Sequence, residues 1–156
     1  MRHIGIDPGL SGAIAVLTDE SLQIHDMPVM TVDRNGKAKR QVSANELAEL
    51  LYTCSGKDCH VYCERVSAMA GQGVTSVFSF GRSFGMIEGI LAALKMPVTF
   101  VAPATWVKGV GRGPGKDASR SRAMELFPEN QDLFKRVKDD GRADAALIAH
   151  WGRKHG

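Results

Sequence analysis

Apolar positions in this chain first alternate in short runs, then step by three and four, then shorten again. Ile4 and Ile6 fall on one side of an extended segment, with Gly5 and Asp7 on the other. Residues 2–8, 12–18 and 21–27 read as three strands joined by the short turns Asp7-Pro8-Gly9 and Thr18-Asp19-Glu20. Residues 31–42 are polar and basic around Asn35-Gly36 and read as a loop. A helix is expected from Ser43 to about Cys54, opened by Ser43 and Glu46 as a capping box. His60 to Val66 is a fourth strand, and residues 67–75 form a small, Gly-rich loop.

Val77, Phe80, Phe84, Ile87, Leu91 and Leu94 make an apolar stripe and predict a helix over 76–95. Gly81, Gly85 and Gly89 form a second stripe on it. Each glycine costs a helix about 1 kcal/mol against alanine, so three on one face imply close approach of another backbone. The chain's own sheet and a second subunit both fit that requirement. Residues 96–101 read as a fifth strand and 103–108 as a short helix. A mobile basic loop over 109–115, a helix over about 116–127 and a last helix from Asp139-Asp140 to about Trp151 complete the chain. The order predicts one α/β domain over residues 1–156, a mixed five-stranded sheet flanked by helices.

Acids stand at the ends of these elements. Asp7 ends the first strand, Glu64 lies near the end of the fourth, and Asp140 and Asp144 share one face of the last helix. Taken alone, Asp7 reads equally as a metal ligand or as a turn-capping residue, and Asp139 or Asp140 as a helix cap. Asp144 is harder to explain structurally. It sits within Ala143-Asp144-Ala145-Ala146-Leu147-Ile148-Ala149, where an ionised acid needs a partner or a metal. If strand four pairs beside strand one, Asp7 and Glu64 become neighbours and the last helix lays Asp144 over them. Such carboxylates repel, and a divalent ion resolves the conflict. Oxygen-only ligands favour Mg²⁺, with Mn²⁺ as substitute. Two ions about 3.5–4 Å apart serve in-line phosphoryl displacement.

Charge sharpens this picture. The net charge is +3, unevenly spread. Lys108, Arg112, Lys116, Arg120 and Arg122 form one basic cluster, Arg34, Lys37, Lys39 and Arg40 a second, and Arg153-Lys154-His155 a third. Basic clusters beside an acidic centre point to a polyanionic partner. No apolar run approaches membrane-span length, so no membrane partner is expected. Cys54, Cys59 and Cys63 lack metal-ligand spacing and are odd in number, which suits a reducing compartment. Met1-Arg2-His3 leads straight into a strand with no targeting segment, so a cytoplasmic location is expected.

The segments Ile4-Gly5-Ile6-Asp7-Pro8-Gly9-Leu10-Ser11-Gly12, Val61-Tyr62-Cys63-Glu64 and Ala143-Asp144-Ala145-Ala146 resemble RuvC-like Holliday junction resolvases of the RNase H-like superfamily. So do Gly81-Arg82-Ser83-Phe84-Gly85-Met86-Ile87-Glu88-Gly89 and Ala102 to Lys108 with the Gly-rich loop and Lys116 behind it. The ending Asp140-Gly-Arg-Ala-Asp144 looks most like the phage and organellar branch. The resemblance implies an RNase H-like fold, a homodimer, Mg²⁺ and paired nicks across a four-way DNA junction. It implies Asp7, Glu64 and Asp144 as catalytic metal ligands. The fourth would be Asp140, with Asp139 in reserve, because Gly141 stands where bacterial members carry their acid. It matches Lys108 and Lys116 to basic positions near the scissile strand; from the basic loop and clusters, Lys116 is expected to act at the cut phosphate and Arg112, Arg120 and Arg82 to be further DNA contacts. Bacterial members wedge an aromatic residue into the junction shortly after the second acid. Here Ser67-Ala68-Met69 stands in that place, so Met69 is either an apolar substitute or an ordinary loop residue. Rival readings are a general branched-DNA or RNA nuclease and a module that binds branched DNA without cutting. An actin-like ATPase would need a second subdomain.

Overall fold

The computed structural model describes residues 1–156. Strands β1 (Arg2–Asp7), β2 (Ala13–Leu17) and β3 (Leu22–Asp26) form an antiparallel meander. After a hairpin, β4 (Val29–Arg34) and β5 (Lys37–Val42), come helix α1 (Ala44–Cys54) and strand β6 (Cys59–Glu64). Then follow α2 (Val74–Ala93), β7 (Val98–Val101), α3 (Pro103–Gly109) and α4 (Ala118–Leu126). Two 3-10 turns, Pro128–Phe134 and Val137–Asp139, lead into α5 (Asp140–His155). The main sheet has the order β3-β2-β1-β6-β7, with β6 parallel to both β1 and β7. It is the mixed five-stranded sheet expected from the pattern, flanked by helices on both faces.

Strand alternation sorts the core into two layers. Ile4, Ile6, Ile14, Val16, Val61 and Cys63 point to one face, where Leu47 and Leu51 of α1 and Ile87 and Leu91 of α2 cover them. Ala13, Ala15 and Tyr62 point to the other, under Ala145, Ala146, Ile148 and Ala149 of α5, with Trp106 and Phe134 beside them. The small residues let α5 lie on the sheet at backbone contact. A Cβ on Gly5 would stand 2.1 Å from the carbonyl oxygen of Ala145 and 2.5 Å from the nitrogen of Ala149. The N-terminus of α5 is seated the same way: a Cβ on Gly141 would stand 2.2 Å from the carbonyl oxygen of Ser11.

Residues 31–42 differ from expectation, because they are a hairpin rather than a loop. Asn35 (φ 55°) and Gly36 (φ 73°) supply the two left-handed residues of a tight two-residue turn. Asp33 Oδ1 accepts the N–H of Gly36 at 2.9 Å. Only the base of the hairpin is anchored, through Met27, Val29 and Val42 in the core. Its outer part carries cations on both faces, which hid the strand period. Several helix boundaries also move: α2 spans Val74–Ala93 rather than 76–95, and Ser43 stands at the N-cap of α1 without a side-chain capping bond. Helix α4 starts at Ala118 rather than 116, and α5 runs to His155 rather than stopping near Trp151.

The stripe of α2 is also resolved. Ser83, Ile87 and Leu91 face the core, whereas a Cβ on Gly81, Gly85 or Gly89 would meet nothing within 4 Å. The glycines therefore do not seat the helix on its own sheet. They form an open face, continued by Val74 and Phe78, which are 86% and 66% exposed.

Candidate active site

The register of the parallel pair sets the centre of the site. Ile6 lies opposite Cys63, so Asp7 and Glu64 follow side by side at the carboxyl ends of adjacent strands. Helix α5, locked onto β1 at Gly5, brings Asp144 to the same place. The proximity shows in the charges: Asp144 and Glu64 both raise the pKa of Asp7, and Asp144 raises that of Glu64.

Burial is the largest cause of these shifts. It pushes Asp7 up to about 7, with the two neighbouring carboxylates adding to it and a 3.4 Å bond from the Gly9 N–H opposing it. Glu64 and Asp144 are raised mainly by burial as well. None of the three makes an ion pair. Asp144 Oδ1 is a buried oxygen without any hydrogen-bond partner. A cluster of acids that is largely buried, mutually repelling and short of donors is built for a cation.

Three residues that the sequence reading left out of the centre organise it. Trp106, at 2% exposure, donates its indole N–H to Glu64 Oε2 at 2.7 Å. Arg112 sits over the Trp106 ring, 5.8 Å from its centroid, and donates to Ser119 Oγ at 3.0 Å. Ser119 in turn faces Asp144 and works to lower its pKa. The Arg112 guanidinium lowers the pKa of both Glu64 and Asp144, partly opposing burial. Arg112 was expected along the DNA path; here its polar contacts run inward. The available signal was Trp106, an indole donor in the segment that returns to the ends of the strands.

The paired aspartates at the start of α5 separate clearly. Asp139 is 1% exposed and accepts from the Arg136 backbone N–H and guanidinium, with Arg142 3.8 Å away. It holds the chain turn that launches the helix. Asp140 is about half exposed, lies one helical turn before Asp144 and contributes to that acid's raised pKa. Its Oδ1 accepts from Arg120 Nε at 2.8 Å. Arg120, expected to contact DNA, is 7% exposed and is consumed internally by Asp140, Asp117 and the Lys135 carbonyl. Lys108, Lys116 and Arg82 are exposed and make no ion pair. Met69 is 68% exposed, in the loop between β6 and α2.

Comparison with solved structures gives the architecture its name. Thermus thermophilus RuvC in complex with a Holliday junction substrate aligns with a TM-score of 0.63, covering 99% of this chain and 96% of that one at 12% identity. The chain has the RuvC fold. A second Thermus thermophilus RuvC structure aligns at a TM-score of 0.55 and 14% identity, covering 99% of this chain and 96% of that one. The RuvC fold is RNase H-like, a mixed five-stranded sheet flanked by helices. In sequence, the chain is 34% identical over 92 residues to the chloroplastic Holliday junction resolvase MOC1 of Chlamydomonas reinhardtii. That stretch is 58% of this chain but only 10% of the relative, so the chain spans about a tenth of the relative's length. No model of a protein family matches the chain.

Proposed function

We propose that this chain is a metal-dependent endonuclease that resolves four-way DNA junctions by paired nicks. One observation carries the reading: in a RuvC fold, Asp7, Glu64 and Asp144 converge without an ion pair, and Asp144 Oδ1 is left buried and unsatisfied. The likeness to RuvC bound to a Holliday junction and to the MOC1 resolvase supports four-way DNA as the substrate.

The donors fit a hard divalent ion, since all are oxygens. The side chains do not by themselves close into a three-ligand cage. That suits Mg²⁺, which keeps several waters and takes further ligands from substrate phosphates. Asp7, Glu64 and Asp144 would hold it, with Asp140 as the fourth ligand; Mn²⁺ would substitute, and the four acids suffice for two ions. When bound, the metal activates water and neutralises charge on the attacked phosphate.

The remaining work belongs to the protein. Trp106 fixes one oxygen of Glu64, so that carboxylate meets the metal in a single orientation. Arg112 and Ser119, bonded to each other, set positive charge and a hydroxyl toward Asp144 while leaving Oδ1 free. Lys116, on the loop before α4, offers an ammonium to the charge developing at the cut phosphate. Lys108 contacts the backbone nearby.

Paired nicks need two sites at a fixed spacing. A two-fold dimer through the open face of α2 supplies them, with Gly81, Gly85 and Gly89 allowing close approach and Val74 and Phe78 supplying apolar area.

The test is direct. With Mg²⁺, synthetic four-way junctions should be nicked symmetrically in two opposed strands, while three-way and linear DNA stay intact. Glu64→Gln and Asp144→Asn should abolish nicking and keep junction binding. Equal cutting of all three DNAs would refute junction specificity, and near-normal cutting by either variant would remove that acid from the site.

A further inference from the structure

Away from the acids, the β4–β5 hairpin stands beside α2 and encloses a cleft of about 760 Å³. Its lining includes Arg34, Lys37, Lys39, Arg40 and Arg82, and no acid. None of these five cations makes an ion pair. Arg34 bonds only the neutral Gln41, at 3.0 Å. The register makes the arrangement costly in isolation. Arg34 is directly opposite Lys37, and Lys39 follows on the same face opposite Val32. Like charges facing each other across a ladder destabilise it. The one acid of the hairpin, Asp33, is on the other face and holds the turn.

The cleft reaches the turn that follows Asp7, where Leu10 and Ser11 form its inner end. That turn is pressed against Gly141 at the start of α5. Its outer end is the hairpin tip. On the α2 side it is lined by hydroxyls from Thr75, Ser76 and Ser79. This face of α2 is distinct from the open glycine face, so pairing through the glycines would leave the cleft accessible.

We propose that the cleft between the hairpin and α2 is a second DNA-binding site, which grips the phosphate backbone of the strand running away from the Asp7–Glu64–Asp144 centre. This rests on the reading of the chain as a DNA junction nuclease and adds to it a grip outside the cutting centre. Repelling cations without acids match a line of phosphates, and the hydroxyls supply neutral donors to the same oxygens. The anchored base and projecting tip of the hairpin let it act as one jaw while α2 is the other.

Two measurements test the proposal, both in EDTA so that DNA is bound and not cut. The first titrates a synthetic four-way junction at several salt concentrations with three proteins: wild type, Arg34→Gln/Lys37→Gln/Lys39→Gln, and Lys57→Gln/Lys95→Gln/Lys138→Gln. The two variants lose equal charge, the latter from surfaces outside the cleft. Each lost phosphate contact flattens the plot of log affinity against log salt by about 0.7–0.9. The hairpin variant should therefore lose about two to three units of slope and bind about tenfold or more weakly near physiological salt. The control should keep the wild-type slope. Equal loss in both variants, or in neither, overturns the proposal.

The second measurement needs no variant. Wild-type protein is acetylated at its lysines, free and bound to either the junction or a linear duplex. Bound DNA should protect Lys37 and Lys39 and leave Lys57, Lys95 and Lys138 reactive. Free reactivity of Lys37 and Lys39 under saturating junction overturns the cleft and leaves the resolvase reading intact. Protection by duplex and junction alike, with no preference for the junction, sinks the resolvase reading and leaves the cleft standing.

Discussion

Asp7→Asn should stabilise the metal-free protein while destroying its activity. Burial and two neighbouring carboxylates lift the Asp7 pKa from 3.8 to about 7. The folded state therefore holds a proton there that the unfolded chain has released. Where the native state binds more protons, stability falls as pH rises. The ionised side chain costs nothing near pH 4, then about 1.36 kcal/mol for each pH unit up to 7, and is level beyond. Roughly three units give a ceiling of about 4 kcal/mol, which relaxation of the neighbouring acids reduces to about 2–4 kcal/mol. Asparagine has nearly the same shape, keeps an oxygen for the Gly9 N–H and never ionises. The assay is denaturant unfolding of both proteins in EDTA between pH 4 and 8.5. Other groups titrate in this window, His150 among them with its pKa lowered to about 4 by burial and nearby cations. The difference between the two proteins cancels them. That difference should start near zero, grow through pH 5–7 in favour of the variant and then level. Saturating Mg²⁺ should stabilise wild type more than the variant. A difference that stays flat from pH 4 to 8 would refute the claim that Asp7 bears the cost of the acidic centre.

Three further outcomes are expected. Trp106→Phe removes the donor to Glu64, and should lower single-turnover cleavage about tenfold or more while junction affinity holds. Arg112→Ala should likewise slow cleavage and leave the salt slope of binding unchanged, because its contacts are to Trp106 and Ser119; a slope flatter by about one unit would show a phosphate contact instead. Asp139→Asn should lower the unfolding midpoint with modest loss of activity, whereas Asp140→Asn should lose activity with little change in midpoint; the reverse pattern would exchange their roles. Gly85→Leu, at an open position of α2, should remain folded, sediment as a monomer and fail to make paired nicks; wild type sedimenting as a monomer with and without junction DNA would defeat the dimer.

Much of this arrangement was legible before any coordinates. Strand alternation and the acid at the end of each run placed Asp7 and Glu64, and the single acid in an apolar helix face placed Asp144. The three acids do come together in the fold, because each placement rests on a local period and on the cost of burying charge. The hairpin was missed because its cations interrupt the period on both faces, and only the Asn35-Gly36 pair carried the signal. Arg112 and Arg120 were read as surface cations because charge says nothing about direction. Each turns inward because an aromatic ring, for Arg112, or acids, for Arg120, wait there. One partner of Arg120, Asp140, stands twenty residues on. The glycine stripe was ambiguous for the same reason, since spacing shows that a face is small and not what lies against it.

Position 5 has a diagnostic value that the acids lack. An aspartate closing a strand occurs in many unrelated turns. A glycine two residues before it, against which a helix carbonyl lies 2.1 Å from where a Cβ would be, is far more restrictive. It couples the first strand to Ala145 and Ala149, some 140 residues away, and so to Asp144, the residue just before Ala145. For finding distant relatives, the joint occurrence of an early Gly-x-Asp and a late Asp flanked by alanines is a better fingerprint than any carboxylate alone. Drift at one end of that lock without the other would mark a chain that has kept the sheet and abandoned the chemistry.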